Sequence, residues 1–294
     1  SSDIPAILSY TNKFYFLNDN EFAEIYSDKI TFYDSNLNQI SKEPKEISWD
    51  TNSAQKDGFD DFMLKEIYEQ DKAIKNTLSI SEFPLSASEI KKFSKIYLIA
   101  CGTAMHAGLV AKSIIEQLCQ IDTEVDIASE FRYRNPLINK NTLAIFISQS
   151  GETADTLAAL KLAKSKGATT IAISNVIESS IPREADYALY TKAGPEIAVA
   201  STKAYTSQVA LLTKLAIYFA EQLNTYPMEQ LQKLKQQILQ LPLQVQNILK
   251  NSNNIKDIAK IIAKESDVYY IGRGLDYHVC QEGSLKLKEI SYIH

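Results

Sequence analysis

LAIFISQSGETADTLAALKLAK, residues 143–164, falls into an apolar run, a polar turn with one glycine, and a segment with leucine and alanine at helical spacing. A short apolar run bounded by turn residues predicts a buried strand, and the segment from about 154 to 166 predicts a helix. The order recurs at KIYLIA, 95–100, which leads through CGTA into a helix from about 104 to 119. TTIAIS at 169–174 and YALYT at 187–191 add two more short runs, and AVASTKAYTSQ opens a helix that continues to about 221. Strands alternating with helices predict a doubly wound α/β domain over 81–225, its parallel sheet covered on both faces. Ligands of such sheets sit beyond the carboxyl ends of the strands, where these three polar loops would converge.

On the amino-terminal side, KFYFL (13–17), EFAEIY (21–26) and KITFYD (29–34) alternate like short antiparallel strands joined by NDN and SD turns. Residues 35–60 are polar and irregular, hold the single tryptophan, Trp49, and read as a linker. FMLKEIYEQDKAIKNTL, 62–78, has the apolar spacing of an amphipathic helix. Four segments follow: 1–55, strands and linker; 56–80, a connecting helix; 81–225, the α/β domain; and 226–294. The last contains a helical stretch at 227–251 interrupted near Pro242, then a helix in NNIKDIAKIIAKES, a strand in DVYYIG, a loop in RGLD and a helix in YHVCQEGSLKLKEISYI. KIYLIACGTAMH and VYYIGRGLDYH share a strand, a glycine, three residues and a histidine, so Gly102 and His106 correspond to Gly274 and His278. The repeat implies a second unit of related build that stops after one strand and one helix. One strand makes no sheet, so this unit is expected to be a fragment of something longer or to lean on the first domain or a partner chain.

The 294 residues are 45% hydrophobic and 23% charged, enough for a sizeable core. A net charge of −5 without any basic block gives a phosphate backbone no footprint, which argues against nucleic acid as a partner. The longest apolar stretch, VALLTKLAIYFA at 209–220, is too short for a membrane span and carries Lys214. No signal peptide opens the chain, and Cys101, Cys119 and Cys280 are scattered singly. A cytoplasmic location is expected, with no metal site and with Cys101 a small buried residue rather than a reactive thiol.

Ser148, Ser150 and Thr153 lie where a strand hands over to a helix, so their hydroxyls and the free NH groups of the first helical turn can meet at one spot that suits an anion. Gly151 allows close backbone approach and Gln149 adds an amide donor. A Walker loop and a G-x-G-x-x-G fingerprint are both absent, so one phosphomonoester fits better than a polyphosphate. The competing reading is that Ser150 or Thr153 merely caps the helix, with Glu152 favourable in its first turn. Thr103, Ser201 and Thr202 stand at comparable junctions, which favours a site. In EGSLKLKEISYIH, Glu282, Lys286 and Glu289 share one helix face, either as a solvated ion-pair ladder or as a carboxylate base beside an ammonium. His106 and His278 read as structural.

CGTAMHAGLVAK, SQSGETADTLAALKLAK, ASTKAYTSQ and GRG followed by EGSLKLKEISYIH resemble the sugar isomerase (SIS) domains of the glutamine:fructose-6-phosphate aminotransferase family. The resemblance covers most of the chain, with DIPAIL similar to the end of that family's glutaminase domain. It implies a doubly wound parallel-sheet SIS domain, an incomplete second SIS-like unit after it, and a short β tail of a glutaminase domain before it. It also implies binding of fructose 6-phosphate, receipt of ammonia released from glutamine by the glutaminase domain, and conversion to glucosamine 6-phosphate without a cofactor. Carried over, Ser148, Gln149, Ser150 and Thr153 would hold the phosphate with Thr103 beside them, Val199 and Ser201 would line the sugar, Glu289 would move a proton between C1 and C2, and Lys286 would assist near the sugar hydroxyls. The family implies a homodimer with sites completed across subunits.

Departures accompany the matches. Ala104 stands where the family often has serine, the glutaminase cysteine nucleophile is missing, and the family's ring-opening histidine and Schiff-base lysine would lie beyond His294. Isolated, the chain is expected to bind sugar phosphate weakly and to lack glutamine-dependent synthesis. The alternative from another class is a sugar-phosphate-binding SIS sensor module of a regulator, which would use the same SQSGET loop without chemistry. A free-standing phosphosugar isomerase would not need the strands at 13–34.

Overall fold

The computed structural model describes residues 7, 10–46 and 56–294; DIPAIL, apart from Ile7, and Trp49 lie outside them. The chain divides into two compact units, residues 1–58 and 59–294. The first carries β1 (Lys13–Phe14), β2 (Phe22–Ile25), β3 (Ile30–Tyr33), β4 (Gln39–Ile40) and β5 (Lys45–Glu46). β2, β3 and β4 form an antiparallel meander and β1 pairs with β5. The segment 35–60, expected to be irregular, therefore supplies two short strands. Asp34 explains the first: its carboxylate accepts from the backbone NH groups of Asn36 and Asn38, reversing the chain so that Phe32 faces Ile40.

In the second unit the stretch 62–78 forms two helices, α1 (Phe62–Tyr68) and α2 (Gln70–Leu78), meeting at Glu69. Asp61 caps the first by accepting from Leu64 NH. α3 (Ala87–Ile90) begins at a Ser86/Glu89 capping box. Then follow β6 (Lys95–Ala100), α4 (Gly102–Cys119), β7 (Asp122–Ile127), α5 (Ala128–Phe131), β8 (Thr142–Ser148), α6 (Ala154–Ser165), β9 (Thr169–Ser174), α7 (Ser180–Glu184), β10 (Tyr187–Tyr190) and α8 (Lys203–Leu223). The strands make one parallel sheet in the order β10-β9-β8-β6-β7. Every residue of β8 is buried. Alternation sorts its side chains: Leu143, Ile145 and Ile147 join the layer containing α4 and α8, while Ala144 and Phe146 join the layer with Phe131, Ala159 and Leu160.

β7 was not expected from the sequence, because Asp122, Glu124 and Asp126 dilute its apolar pattern. It is an edge strand on which Lys95 meets Glu124 at 2.8 Å, and Arg134 pairs with Asp126. Lys214, inside the apolar run of α8, donates to the carbonyls of Leu78 and Ile80 at 2.5 Å. An ammonium at the end of α2 satisfies carbonyls that the helix leaves free. Its burial lowers its pKa. No helix among the described residues is long and apolar enough to cross a membrane.

Beyond α8 come α9 (Met228–Ile238), α10 (Leu241–Lys250), α11 (Asn253–Ile262) and α12 (Leu275–Ser291), and the break before Pro242 falls where expected. DVYYIG does not form the expected strand. A strand needs a neighbour's ladder, and the backbone bonding of this segment is a single bond from Val268 NH to the carbonyl of His294, while Tyr269 and Ile271 remain exposed. The repeated glycines do correspond: Gly102 (φ 54°) and Gly274 (φ 63°) each open a helix in the left-handed region. α12 packs against α4.

Candidate functional site

The strand order reverses between β6 and β8, and the loops that leave the carboxyl ends of these two strands enclose a cavity of about 190 Å³. This is the switch point at which doubly wound sheets hold ligands. Cys101, Thr103 and Ala104 come from the start of α4, Ile147 to Ser150 and Thr153 from the β8–α6 turn, and Ser201 and Gln208 from the entry to α8. No lysine, arginine or carboxylate is among these lining residues.

The β8–α6 turn is built by its own polar groups. Ser148 Oγ accepts from Gly151 NH at 3.0 Å and lies 3.0 Å from Thr153 Oγ1, while Ser150 Oγ accepts from Glu152 NH at 3.2 Å. Thr153 occupies the N-cap position of α6, yet its hydroxyl makes no capping bond. The first helical bond of α6 comes only at Leu157 NH, so the NH groups of Ala154, Asp155 and Thr156 precede the ladder at the positive end of the helix. The plain capping role considered for Thr153 is therefore not what its side chain does. Glu152 turns away: its carboxylate accepts from Ser180 NH at 2.7 Å and Ser180 Oγ at 2.6 Å. Asp155 is held by Arg132 at 2.7 Å. Both acids of the turn are thus occupied elsewhere, which leaves the cavity hospitable to an anion.

Thr103 reaches outward as well as lining the cavity. Its hydroxyl donates to Glu282 Oε1 at 2.9 Å, and His106 Nδ1 lies 2.7 Å from Glu282 Oε2. Glu282 is the buried residue of α12, and Lys286 Nζ lies 3.6 Å from its Oε1 and 2.5 Å from Glu289 Oε2. The expected face of Glu282, Lys286 and Glu289 thus exists, but it is anchored to α4 rather than standing as a free ladder. Lys286 and Glu289 are not among the cavity-lining residues; they connect to Thr103 through Glu282. Tyr205, on α8, has its phenol pushed up to about 12 by burial and then by the Glu282 carboxylate.

Ser201 lines the cavity and donates to Glu196 Oε2 at 2.9 Å. Val199 stands fully exposed and outside the lining. The sequence reading missed what holds this loop. Glu196 Oε1 accepts from Thr202 NH and Ala204 NH, capping α8, and Glu66 Oε1 accepts from the NH groups of Ile197 and Ala198 at 2.5 and 3.1 Å. Lys203 is buried against Glu69 at 2.6 Å. An acid seven residues before a helix, or one on a distant helix, carries no local sign of such a role. Burial of Glu66 pushes its carboxyl above the usual range, and its Oε2 has no partner. Glu66→Ala should cost about 1–3 kcal/mol of stability, since two loop NH groups lose their acceptor. Glu66→Gln, which keeps an acceptor oxygen and removes a poorly solvated charge, should stay near the parent; urea unfolding of the two variants reads the difference.

The fold and cavity define a class, a sugar isomerase domain: the SIS domain family matches residues 89–218. The glutamine-fructose-6-phosphate aminotransferases (isomerizing) of Clostridium tetani and Thermococcus kodakarensis are 51% and 46% identical to the chain, in each case over 100% of it and 50% of their own length. The solved C-terminal domain of glucosamine-fructose-6-phosphate aminotransferase from Francisella tularensis is 41% identical, covers 82% of this chain with 70% of its own covered, and superposes with a TM-score of 0.78. The chain belongs to the glutamine-fructose-6-phosphate aminotransferase family. It spans about half the length of the curated relatives it matches.

Proposed function

We propose that this chain is the isomerase part of an enzyme that converts fructose 6-phosphate and glutamine-derived ammonia into glucosamine 6-phosphate. The observation that carries the reading is a hydroxyl-lined cavity at the sheet's switch point, tied through Thr103 and Glu282 to Lys286 and Glu289. Ser148, Gln149, Ser150, Thr153 and the amino end of α6 grip the phosphate, with Thr103 beside them, and Val199 and Ser201 flank the sugar. Binding energy from the phosphate end positions the reacting carbons. Glu289 takes a proton from C1 of the ketose imine and returns it to C2 of the enolamine, so one carboxylate serves both halves of the transfer. Lys286 steadies developing charge on the sugar oxygens.

In this reading residues 1–55 carry the end of a glutaminase domain, 56–80 the connecting helix, 81–225 the first SIS domain and 226–294 the start of a second. The intact protein is a cytoplasmic homodimer whose glutaminase domain supplies ammonia. The test is formation of glucosamine 6-phosphate by the intact protein from fructose 6-phosphate and glutamine. Tight sugar-phosphate binding with no conversion would make the chain a sensor module and defeat the proposal.

A further inference from the structure

Glu282 carries no chemistry in the function proposed above, yet it is only 5% exposed and both of its carboxylate oxygens are engaged. Oε1 accepts from Thr103 Oγ1 at 2.9 Å, and Oε2 lies 2.7 Å from His106 Nδ1. Thr103 and His106 stand three residues apart on α4, so they share a face. Two contacts on one face fix α12 in position and in rotation together. Within the 17 residues of α12, Glu282 is the buried one. An apolar side chain of similar size would dock a helix as well or better. What the carboxylate adds is direction.

The oxygen that accepts from Thr103 also lies 3.6 Å from Lys286 Nζ, which is 2.5 Å from Glu289 Oε2. The Lys286 ammonium therefore stands between two carboxylates in unequal surroundings: the side chain of Glu282 is 6% exposed and that of Glu289 is 41% exposed. Glu289 makes the shorter contact, but a pair that reaches the surface is screened and holds neither partner firmly. Attraction is stronger where water is excluded, so the buried carboxylate decides where the ammonium stands and Glu289 follows it. Thr103 lines the cavity, so the fixed point of this chain of contacts borders the ligand space.

We infer that Glu282 is a positioning residue for the isomerisation: its buried carboxylate sets α12 on α4 and fixes Lys286, and through Lys286 the base Glu289, relative to the cavity. The inference rests on the reading of Glu289 as the base. Glu282→Gln isolates the charge from the anchor. Its carboxamide keeps an oxygen for Thr103 and an NH₂ group for His106, whose neutral ring can present a bare Nδ1, while the attraction for Lys286 is lost.

Steady-state formation of glucosamine 6-phosphate by the intact protein tests it in Glu282→Gln, Lys286→Met, the double variant and Glu289→Gln, with calorimetry of fructose 6-phosphate binding and melting on the same preparations. Glu282→Gln should lower kcat roughly 10- to 100-fold, the scale of a slight misplacement at a reacting centre. Its fructose 6-phosphate affinity and melting temperature should match the parent's. Because Glu282 acts through Lys286, the double variant should turn over no more slowly than Lys286→Met alone. Turnover of Glu282→Gln equal to the parent's overturns the inference, as do losses that multiply in the double variant. A fall in kcat matched by losses of affinity and melting temperature overturns it too, since a merely structural role moves all three. Parent-like turnover in Glu289→Gln, or a parent that forms no glucosamine 6-phosphate, overturns the reading of the base or of the function itself, and the role of Glu282 with it.

Discussion

In the intact protein, Glu289→Gln is expected to lower formation of glucosamine 6-phosphate by roughly 10²- to 10⁴-fold, the range ascribed to a positioned general base. The amide has nearly the shape of the carboxylate but cannot accept a proton at neutral pH. Fructose 6-phosphate affinity should change by no more than about twofold, because Glu289 is not among the groups that line the phosphate cavity. Stability should hardly move: the Glu289 side chain is 41% exposed and its pair with Lys286 is of the kind worth about 0–1 kcal/mol. Lys286 also keeps Glu282 at 3.6 Å as a partner. Steady-state assays with a binding measurement on the same preparation separate these effects, and turnover equal to the parent's would remove Glu289 from the mechanism.

The second large effect concerns Gly151. Its φ is +69°, and a Cβ added there would fall 1.8 Å from Ser179 Oγ and 2.8 Å from Ser174 Oγ. Ser179 is itself 4% exposed and bonded to the carbonyl of Val176, so neither neighbour can withdraw freely. Backbone strain of about 1–3 kcal/mol and overpacking of about 1–3 kcal/mol act together. Gly151→Ala should therefore lower unfolding stability by about 3–5 kcal/mol and abolish phosphate binding, since the turn that aims Ser148 and Ser150 cannot keep its shape. Gly102→Ala is the control: its φ is +54°, but no atom lies within 4 Å of the added Cβ. There the cost is backbone strain alone, about 1–2 kcal/mol. Urea unfolding of the two variants reads the difference, and equal losses would show that crowding at Gly151 is relieved.

The sheet was legible wherever burial on both faces left an uninterrupted apolar run, as in β6, β8 and β9. β7 escaped because an edge strand tolerates Asp122, Glu124 and Asp126 on its open side. DVYYIG looks like β6 in composition, but a strand is a relation between two segments, and apolar content cannot announce a neighbour. The turn that lines the cavity was legible because hydroxyls, glycine and a helix start are contiguous in SQSGET. Glu66 and Glu196 were not: each acts through contacts made across turns or between helices. Glu282 was visible as a member of a helix face, while its bond to Thr103 across 179 positions was not.

The central claim, that the cavity between β6 and β8 holds a sugar phosphate through the SQSGET turn, is tested most directly by thermal melting of the chain with fructose 6-phosphate, glucosamine 6-phosphate and inorganic phosphate, alongside Ser150→Ala. Ligand at about a hundred times its dissociation constant adds roughly 2.7 kcal/mol of stability. The account predicts a cooperative upward shift that is larger for the sugar phosphates than for phosphate and is diminished in Ser150→Ala. A sugar-phosphate shift of equal size in the parent and in Ser150→Ala would contradict it.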